Sequence, residues 1–225
     1  MGRAQPVIEV EDVVTRFGAQ TVHDGVSFAI APGTLVALIG GSGSGKSVLL
    51  REIIGLQRPS AGRVRLFGVD MWAAPEADRA AVRQRFGMMF QDGALFSSLT
   101  VAQNVAVPLR EHTRLSPATV DALVALRLLQ AGLPADAGAK MPAELSGGMR
   151  KRAAIARAIA LDPQIVYFDE PSAGLDPVTA AEIDNLILKL NQVFRITMVV
   201  VTHDLPSAYG IADRIMMMLD GKVAA

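Results

Sequence analysis

The sequence has no cysteine, which excludes disulfides and thiolate metal sites and fits a chain kept in the cytosol. Net charge is missing as well. The 22 Lys and Arg balance 22 Asp and Glu, so no large field draws nucleic acid or an anionic bilayer, and no nucleic-acid partner is expected. Long hydrophobic runs are lacking too, although 51% of residues are hydrophobic, a high share for a soluble domain. No apolar stretch approaches the roughly 20 residues that a membrane-spanning helix requires. The longest, LVALI at 35–39 and ITMVVV at 196–201, have the length of buried strands. The opening MGRAQPVIEVED has no signal-peptide core, so the expected location is cytosolic. Internal repeats and low-complexity linkers are also absent from the 225 residues, a length that allows one well-buried core or two small ones.

What is present divides at Gly33. Before it, VIEVEDVV and TVHDGVSFAI, broken by FGAQ, read as a hairpin of half-buried strands. After it come four short apolar runs: LVALIG (35–40), FGMMFQ (86–91), IVYFDE (165–170) and ITMVVVTHD (196–204). Runs buried on both faces and alternating with helices predict a mainly parallel sheet in an α/β domain. Each ends in polar or glycine residues, at the sheet edge where α/β domains bind ligands. Between Gln91 and Pro163 the strand signal disappears. ATVDALVALRLLQAG (118–132) has helical spacing and a stop at Gly132, and RKRAAIARAIAL stops before Pro163. The segment at about 92–162 is therefore expected to be a helical insertion in a single domain covering 1–225.

Gly40-x-x-x-x-Gly45-Lys46-Ser47 follows the strand LVALI and precedes the helical VLLREIIGL, the setting of a phosphate-binding P-loop. Gly40, Gly41, Ser42, Gly43, Ser44 and Gly45 let main-chain N–H groups turn inward toward phosphate oxygens. Lys46 adds a point charge for the β- and γ-phosphates, and Ser47 a hydroxyl ligand for Mg²⁺. A dinucleotide fingerprint does not fit, because Lys46 stands where its third glycine belongs. Asp169 and Glu170 end the run IVYFDE; beside a P-loop, Asp169 fits a carboxylate for Mg²⁺ and Glu170 a general base for the attacking water. Gln91 ends another run, with an amide that can bridge metal and water, and His203 follows MVVVT. Phe17 offers a face for adenine, or else a core aromatic beside a turn. His23 and His112 read as surface residues, Arg150, Lys151 and Arg152 as a solvated helix face, and Met216 to Met218 as core strand residues. Trp72 has no assignment.

A second anion-holding helix end stands a hundred residues after the first: LSGGMRKRAAIARAIAL, with Ser146 at an N-cap position and Gly147 and Gly148 following. LSGGM followed by IVYFDEPSAGLDP resembles the signature, Walker B and D-loop of ABC-type ATPases. Gly40–Ser47 is similar to their Walker A motif, Gln91 to the Q-loop glutamine and His203 to the switch histidine, in family order along nearly the whole chain. The resemblance implies a P-loop NTPase fold with an N-terminal antiparallel β-subdomain, ATP and Mg²⁺ as cofactors, and ATP hydrolysis. It also implies a head-to-tail pair of copies, in which Ser146, Gly147 and Gly148 of one copy cap the γ-phosphate held by the other. Asp176 would couple the two sites across that interface.

Met149, where amino-acid importers have glutamine, and QDGALFSSLTVAQNVAVPLREHT (91–113) are similar to the Mla/Mce-type lipid-transport ATPases. That likeness implies a transmembrane permease as partner, indirectly an Mce-type lipid-binding protein, and a position on the cytoplasmic face of the inner membrane. The rival on the same fold is amino-acid import or lipoprotein release. DNA-repair and translation ABC proteins carry long coiled coils or two nucleotide domains, which 225 residues with one P-loop do not supply, and a small-molecule kinase would leave LSGGM and SAGLDP without a task. Relatives usually continue past the strand matching RIMMMLDGKVAA, and in Mla-type ATPases the extension helps to hold the partner copy; in a chain truncated there, ATP-driven pairing is expected to be weaker than in the family.

Overall fold

The computed structural model describes residues 5–224. In chain order its first elements are β1 (Ile8–Phe17), β2 (Gln20–Ile30), β3 (Leu35–Gly40), α1 (Lys46–Ile53), β4 (Ala61–Leu66), β5 (Val69–Asp70) and α2 (Glu76–Arg83). There follow β6 (Phe86–Met89), α3 (Val101–His112), α4 (Pro117–Gln130), α5 (Gly147–Ala158) and β7 (Ile165–Asp169). The last are α6 (Pro177–Phe194), β8 (Thr197–Val201), α7 (Leu205–Ile211), β9 (Arg214–Leu219) and β10 (Lys222–Ala224). The chain forms two compact units, one running through Arg83 and resuming at Asn191, the other comprising Gln84–Leu190.

In the first unit an antiparallel sheet has the order β2-β1-β4-β5. Val10 and Val13 of β1 are both buried although three residues apart, a spacing that would put them on opposite faces of a regular strand. A register shift between them, with Asp12 at φ 48°, restores the shared face. Strand β4 carries only Val64 and Leu66 into the core. Its arginines Arg63 and Arg65 face solvent carboxylates, Arg65 reaching Glu11 at 2.8 Å. So short a run with two arginines gives little hydrophobic signal, and the sequence reading missed it. Strand β3 pairs in parallel with both β8 and β9, and β10 folds back antiparallel on β9. Burial of β3 and β8 on both faces explains their unbroken apolar runs. On β9 the expectation of three core methionines fails in the middle: Met216 and Met218 are buried, but Met217 is 46% exposed, because successive strand side chains alternate faces.

His23 also departs from its expected surface position. It is fully buried beside Thr15 and Glu52. Thr15 Oγ1 donates to Glu52 Oε1 at 2.6 Å. Nδ1 of His23 lies 2.7 Å from that hydroxyl and 3.2 Å from Glu52 Oε2. Its other nitrogen, Nε2, donates to the Gly45 carbonyl at 3.2 Å, since a carbonyl only accepts. His112, by contrast, is exposed at the end of α3 as expected.

The second unit holds β6 and β7 as a parallel pair, Phe86 beside Ile165 through Met89 beside Phe168. Among the described residues between 92 and 162 there is no strand. Helices α3, α4 and α5 share a core that includes Val101, Val105, Leu109, Val124, Leu128 and Ala153. Each helix has a local reason to start. Thr100 and Gln103 form a capping box, and Ser116 caps α4 ahead of Pro117. The end of α4 is a Schellman turn: the N–H of Leu133 donates to Leu128 and that of Gly132 to Leu129, both at 2.9 Å. Gly132, at φ 70°, supplies the left-handed residue just past the cap. Fully buried Asn104 fixes the segment before α3. Its Oδ1 accepts from the Phe96 N–H at 2.7 Å, and its Nδ2 reaches the carbonyls of Phe96, Leu99 and Thr100.

Two stability predictions result. Asn104→Leu strands that loop's polar groups in the interior and is expected to lower the unfolding free energy by about 3 kcal/mol, read from urea denaturation. His23→Leu removes a hydrogen-bonding partner from buried Thr15 and from the Gly45 carbonyl and leaves Glu52 Oε2 without the imidazole, a loss of about 1–3 kcal/mol; the double replacement of His23 and Glu52 by leucine is expected to recover part of it in the same assay.

Candidate functional site

Between β3 and α1 the chain makes a five-residue turn, 41–45, and enters the helix at Lys46. Gly45 occupies the N-cap position at φ 99°. A Cβ there would stand 2.6 Å from His23 Nε2 and 2.8 Å from Val22, so only glycine fits. Lys46 is buried, and its Nζ donates to the carbonyls of Gly40 at 2.8 Å and Gly41 at 3.0 Å. Two of the three ammonium protons are spent on the loop itself. Ser44 Oγ is buried with no hydrogen-bond partner among the described residues, while Gly41, Ser42 and Gly43 are exposed and Ser47 is half-buried in the first turn of α1. An exposed glycine turn at a helix N-terminus, an orphaned hydroxyl and a cation held over the turn fit a polyphosphate. Also in this unit, Phe17 is 51% exposed at the end of β1, which removes the core-aromatic alternative. His203 is exposed just past β8.

In the second unit, β7 ends at Asp169, and Glu170 follows with φ 49°, a left-handed conformation that costs a non-glycine residue about 1–2 kcal/mol. Gln91 lies exposed beyond β6. Helix α5 is capped by Ser146, whose side chain accepts from the Met149 N–H at 3.2 Å. A helix end leaves its first N–H groups without internal partners, and here Ser146 and Gly147 are exposed beside them. Gly148 is required by packing: a Cβ would lie 2.5 Å from Thr179. Asp176, exposed, accepts at Oδ1 from the N–H groups of Val178 and Thr179, and at Oδ2 from the Thr179 hydroxyl at 2.6 Å. It thereby caps α6, and these bonds, led by that from Thr179, hold its carboxyl below the usual range.

The expected solvated basic face of α5 is only partly so. Arg150 is exposed, but Lys151 is 8% exposed. Its Nζ donates to the Gln91 carbonyl and, at 3.2 Å, to that of Glu170. Burial pulls its ammonium below the usual lysine range, while the carboxylates of Asp92, Glu170 and Asp169 pull it back up. Further along the helix, Arg157 donates to the carbonyls of Gly93 and Ala94, both at 2.7 Å. The sequence reading missed Lys151, Arg157 and His23, whose acceptors are main-chain oxygens or distant residues that no spacing rule reveals. Trp72, left unassigned, has its backbone N–H in a turn closed by Asp70 Oδ1 at 2.9 Å.

Residues 23–173 match the model of the ABC transporter family, more than half of the chain. Among curated relatives, the chain is 41% identical over 221 residues to the intermembrane phospholipid transport system ATP-binding protein MlaF of Haemophilus influenzae, covering 98% of this chain and 83% of that one. It is also 41% identical over 211 residues to the probable ribonucleotide transport ATP-binding protein mkl of Mycobacterium tuberculosis H37Rv, covering 94% of this chain and 58% of that one. Among solved structures it resembles the dimeric post-hydrolysis state of the ATP-binding cassette MJ0796 bound to ADP and Pi, with a TM-score of 0.88, 32% identity and 97% coverage of both chains. The glycine turn with its held lysine and the serine-capped glycine helix thus lie on a fold shared with ATP-binding cassettes, and the chain belongs to the ABC transporter family as an ATP-hydrolysing subunit.

Proposed function

We propose that the chain drives phospholipid movement between the inner membrane and the outer envelope, as the ATPase of an Mla/Mce-type transporter. The observation that carries this reading is the 41% identity to a phospholipid transport ATP-binding protein over 98% of the chain. Met149 after the signature glycines and the segment 91–113 support it. The chain sits on the cytoplasmic face of the inner membrane through a transmembrane permease, and acts indirectly on an Mce-type lipid-binding protein. Among the described residues no helix is long and apolar enough to cross a membrane.

In this reading Gly40 to Gly45 turn their N–H groups to the phosphates of ATP, and Lys46 offsets charge on the β- and γ-phosphates. The exposed ring of Phe17 offers its face to adenine. Ser47, Gln91 and Asp169 would hold Mg²⁺, a hard cation suited to one or two carboxylates plus substrate phosphates. When bound, Mg²⁺ neutralises phosphate-oxygen charge. Glu170 takes a proton from the attacking water as oxygen bonds to the γ-phosphorus and the bond to the β–γ bridging oxygen breaks, with His203 assisting. The dimeric state of the related MJ0796 cassette supports a head-to-tail pair of copies. Ser146, Gly147 and Gly148 then present helix-end donors to the partner's γ-phosphate, and Asp176 lies at the interface. The relation to mkl favours a second reading, in which the same motor serves another cargo class.

Purification from membranes with subunit counting and bound-lipid analysis separates the two readings. Recovery of an Mce-type permease with phospholipid is the expected result, and an amino-acid or nucleotide permease in its place removes the lipid reading. Glu170→Gln is expected to keep ATP binding and slow hydrolysis by about 10²–10⁴-fold; near-normal turnover places the base elsewhere. Ser146→Arg is expected to leave ATP binding to the isolated subunit intact yet abolish turnover, whereas lost binding would put Ser146 in its own copy's pocket.

A further inference from the structure

We infer that Lys151 is a positioning residue for hydrolysis, tying the signature helix to the main chain of the catalytic base and of the Gln91 segment. The inference rests on the reading of Glu170 as base and of the α5 N-terminus as the end that meets the partner's nucleotide. Lys151 stands one turn into α5, counted from Gly147. A lysine so buried must spend its protons on acceptors, and this one spends two on carbonyls from separate segments, Gln91 and Glu170. Both acceptors need holding. Glu170 is in the left-handed region at φ 49°, and the segment after Gln91 contains Gly93 at φ 76° and Ala94 at φ 46°. Strained main chain persists only where its surroundings over-determine it.

Arg157 completes the arrangement by binding the carbonyls of Gly93 and Ala94. Helix α5 therefore grips residues 91, 93 and 94, and through Lys151 it also grips residue 170. A displacement of the α5 N-terminus is passed through that ammonium to the peptide from which the Glu170 carboxylate projects. Lys151 touches no reacting atom in this scheme; it acts by fixing the conformation of a residue that does.

The test uses the full chain, with Lys151→Met and Lys151→Gln measured alone and combined with Glu170→Gln. Methionine matches the lysine stem but has no N–H. It is expected to lower kcat by about 10²-fold, the cost of misplacing a reacting group by an ångström, with KM for ATP held within about threefold. Glutamine, which keeps two N–H donors, is expected to restore at least about tenfold of that loss. In the Glu170→Gln background, Lys151→Met should lower the residual rate no further, because groups that act as a unit are non-additive. Should the methionine variant not fold, Lys151→Ser, which admits water to the two carbonyls, is measured in its place with the same expectation.

Turnover within twofold of wild type, a loss carried by KM, failure of glutamine to rescue, or losses that multiply with Glu170→Gln each overturn the inference. Normal turnover of Glu170→Gln alone is a separate outcome: it removes the base assignment, and with it the premise on which the inference stands.

Discussion

A cation taken out of water has to be repaid in oxygen atoms, and at three places in this chain the oxygen comes from main-chain carbonyls in or beside turns. Lys46 is covered by the carbonyls of Gly40 and Gly41, Lys151 by those of Gln91 and Glu170, and Arg157 by those of Gly93 and Ala94. In each case a buried or half-buried positive side chain on a helix helps to fix a turn beyond the end of a strand. Desolvation makes the arrangement compulsory, because leaving such a group unsatisfied costs more than straining a backbone residue. Three of the residues whose carbonyls these cations bind, Gly93, Ala94 and Glu170, have positive φ.

The same rule explains what the sequence disclosed and what it hid. LVALIG and the apolar core of ITMVVVTHD read as strands because both faces of β3 and β8 are buried, so that no polar residue interrupts them. The glycine-rich turn before Lys46 and the serine before two glycines carry their geometry in adjacent residues, and both were legible. Strand β4 was not, since two arginines occupy its outward positions. His23 looked superficial because its partners, Thr15, Glu52 and the Gly45 carbonyl, lie on two other elements and a loop. Lys151 sat in a run of three basic residues, of which only Arg150 behaves as the run suggested. Helical periodicity places a residue on a face; it does not say which carbonyls that face will meet.

Helix α5 carries two kinds of chemistry in one short element. Its first turn is open, serine-capped and glycine-lined, with Gly148 set against Thr179 so closely that no side chain is tolerated. From Lys151 onward its side chains are mostly buried, down to Ala158, and Ala153 and Ala156 lie in the core shared with α3 and α4. A ligand at the open end therefore acts on an element whose remaining length is locked into packing, so the response is rigid displacement rather than fraying. Under the proposed function, that suits a subunit whose chemical cycle is delivered to a permease.

The carboxylate of Asp176 serves α6 as its cap whatever else it does. Because its donors keep it ionised below the ordinary carboxylate range, the cap's contribution is present above the unfolded-state value and fades only as acidity passes the lowered one. Alanine scanning at this residue would mix two losses, unwinding of the helix start and any broken conversation with a neighbouring copy. Asparagine, itself a good cap, weighs them apart: its Oδ1 can still accept from the N–H groups of Val178 and Thr179, while the charge and the acceptor facing the Thr179 hydroxyl are gone.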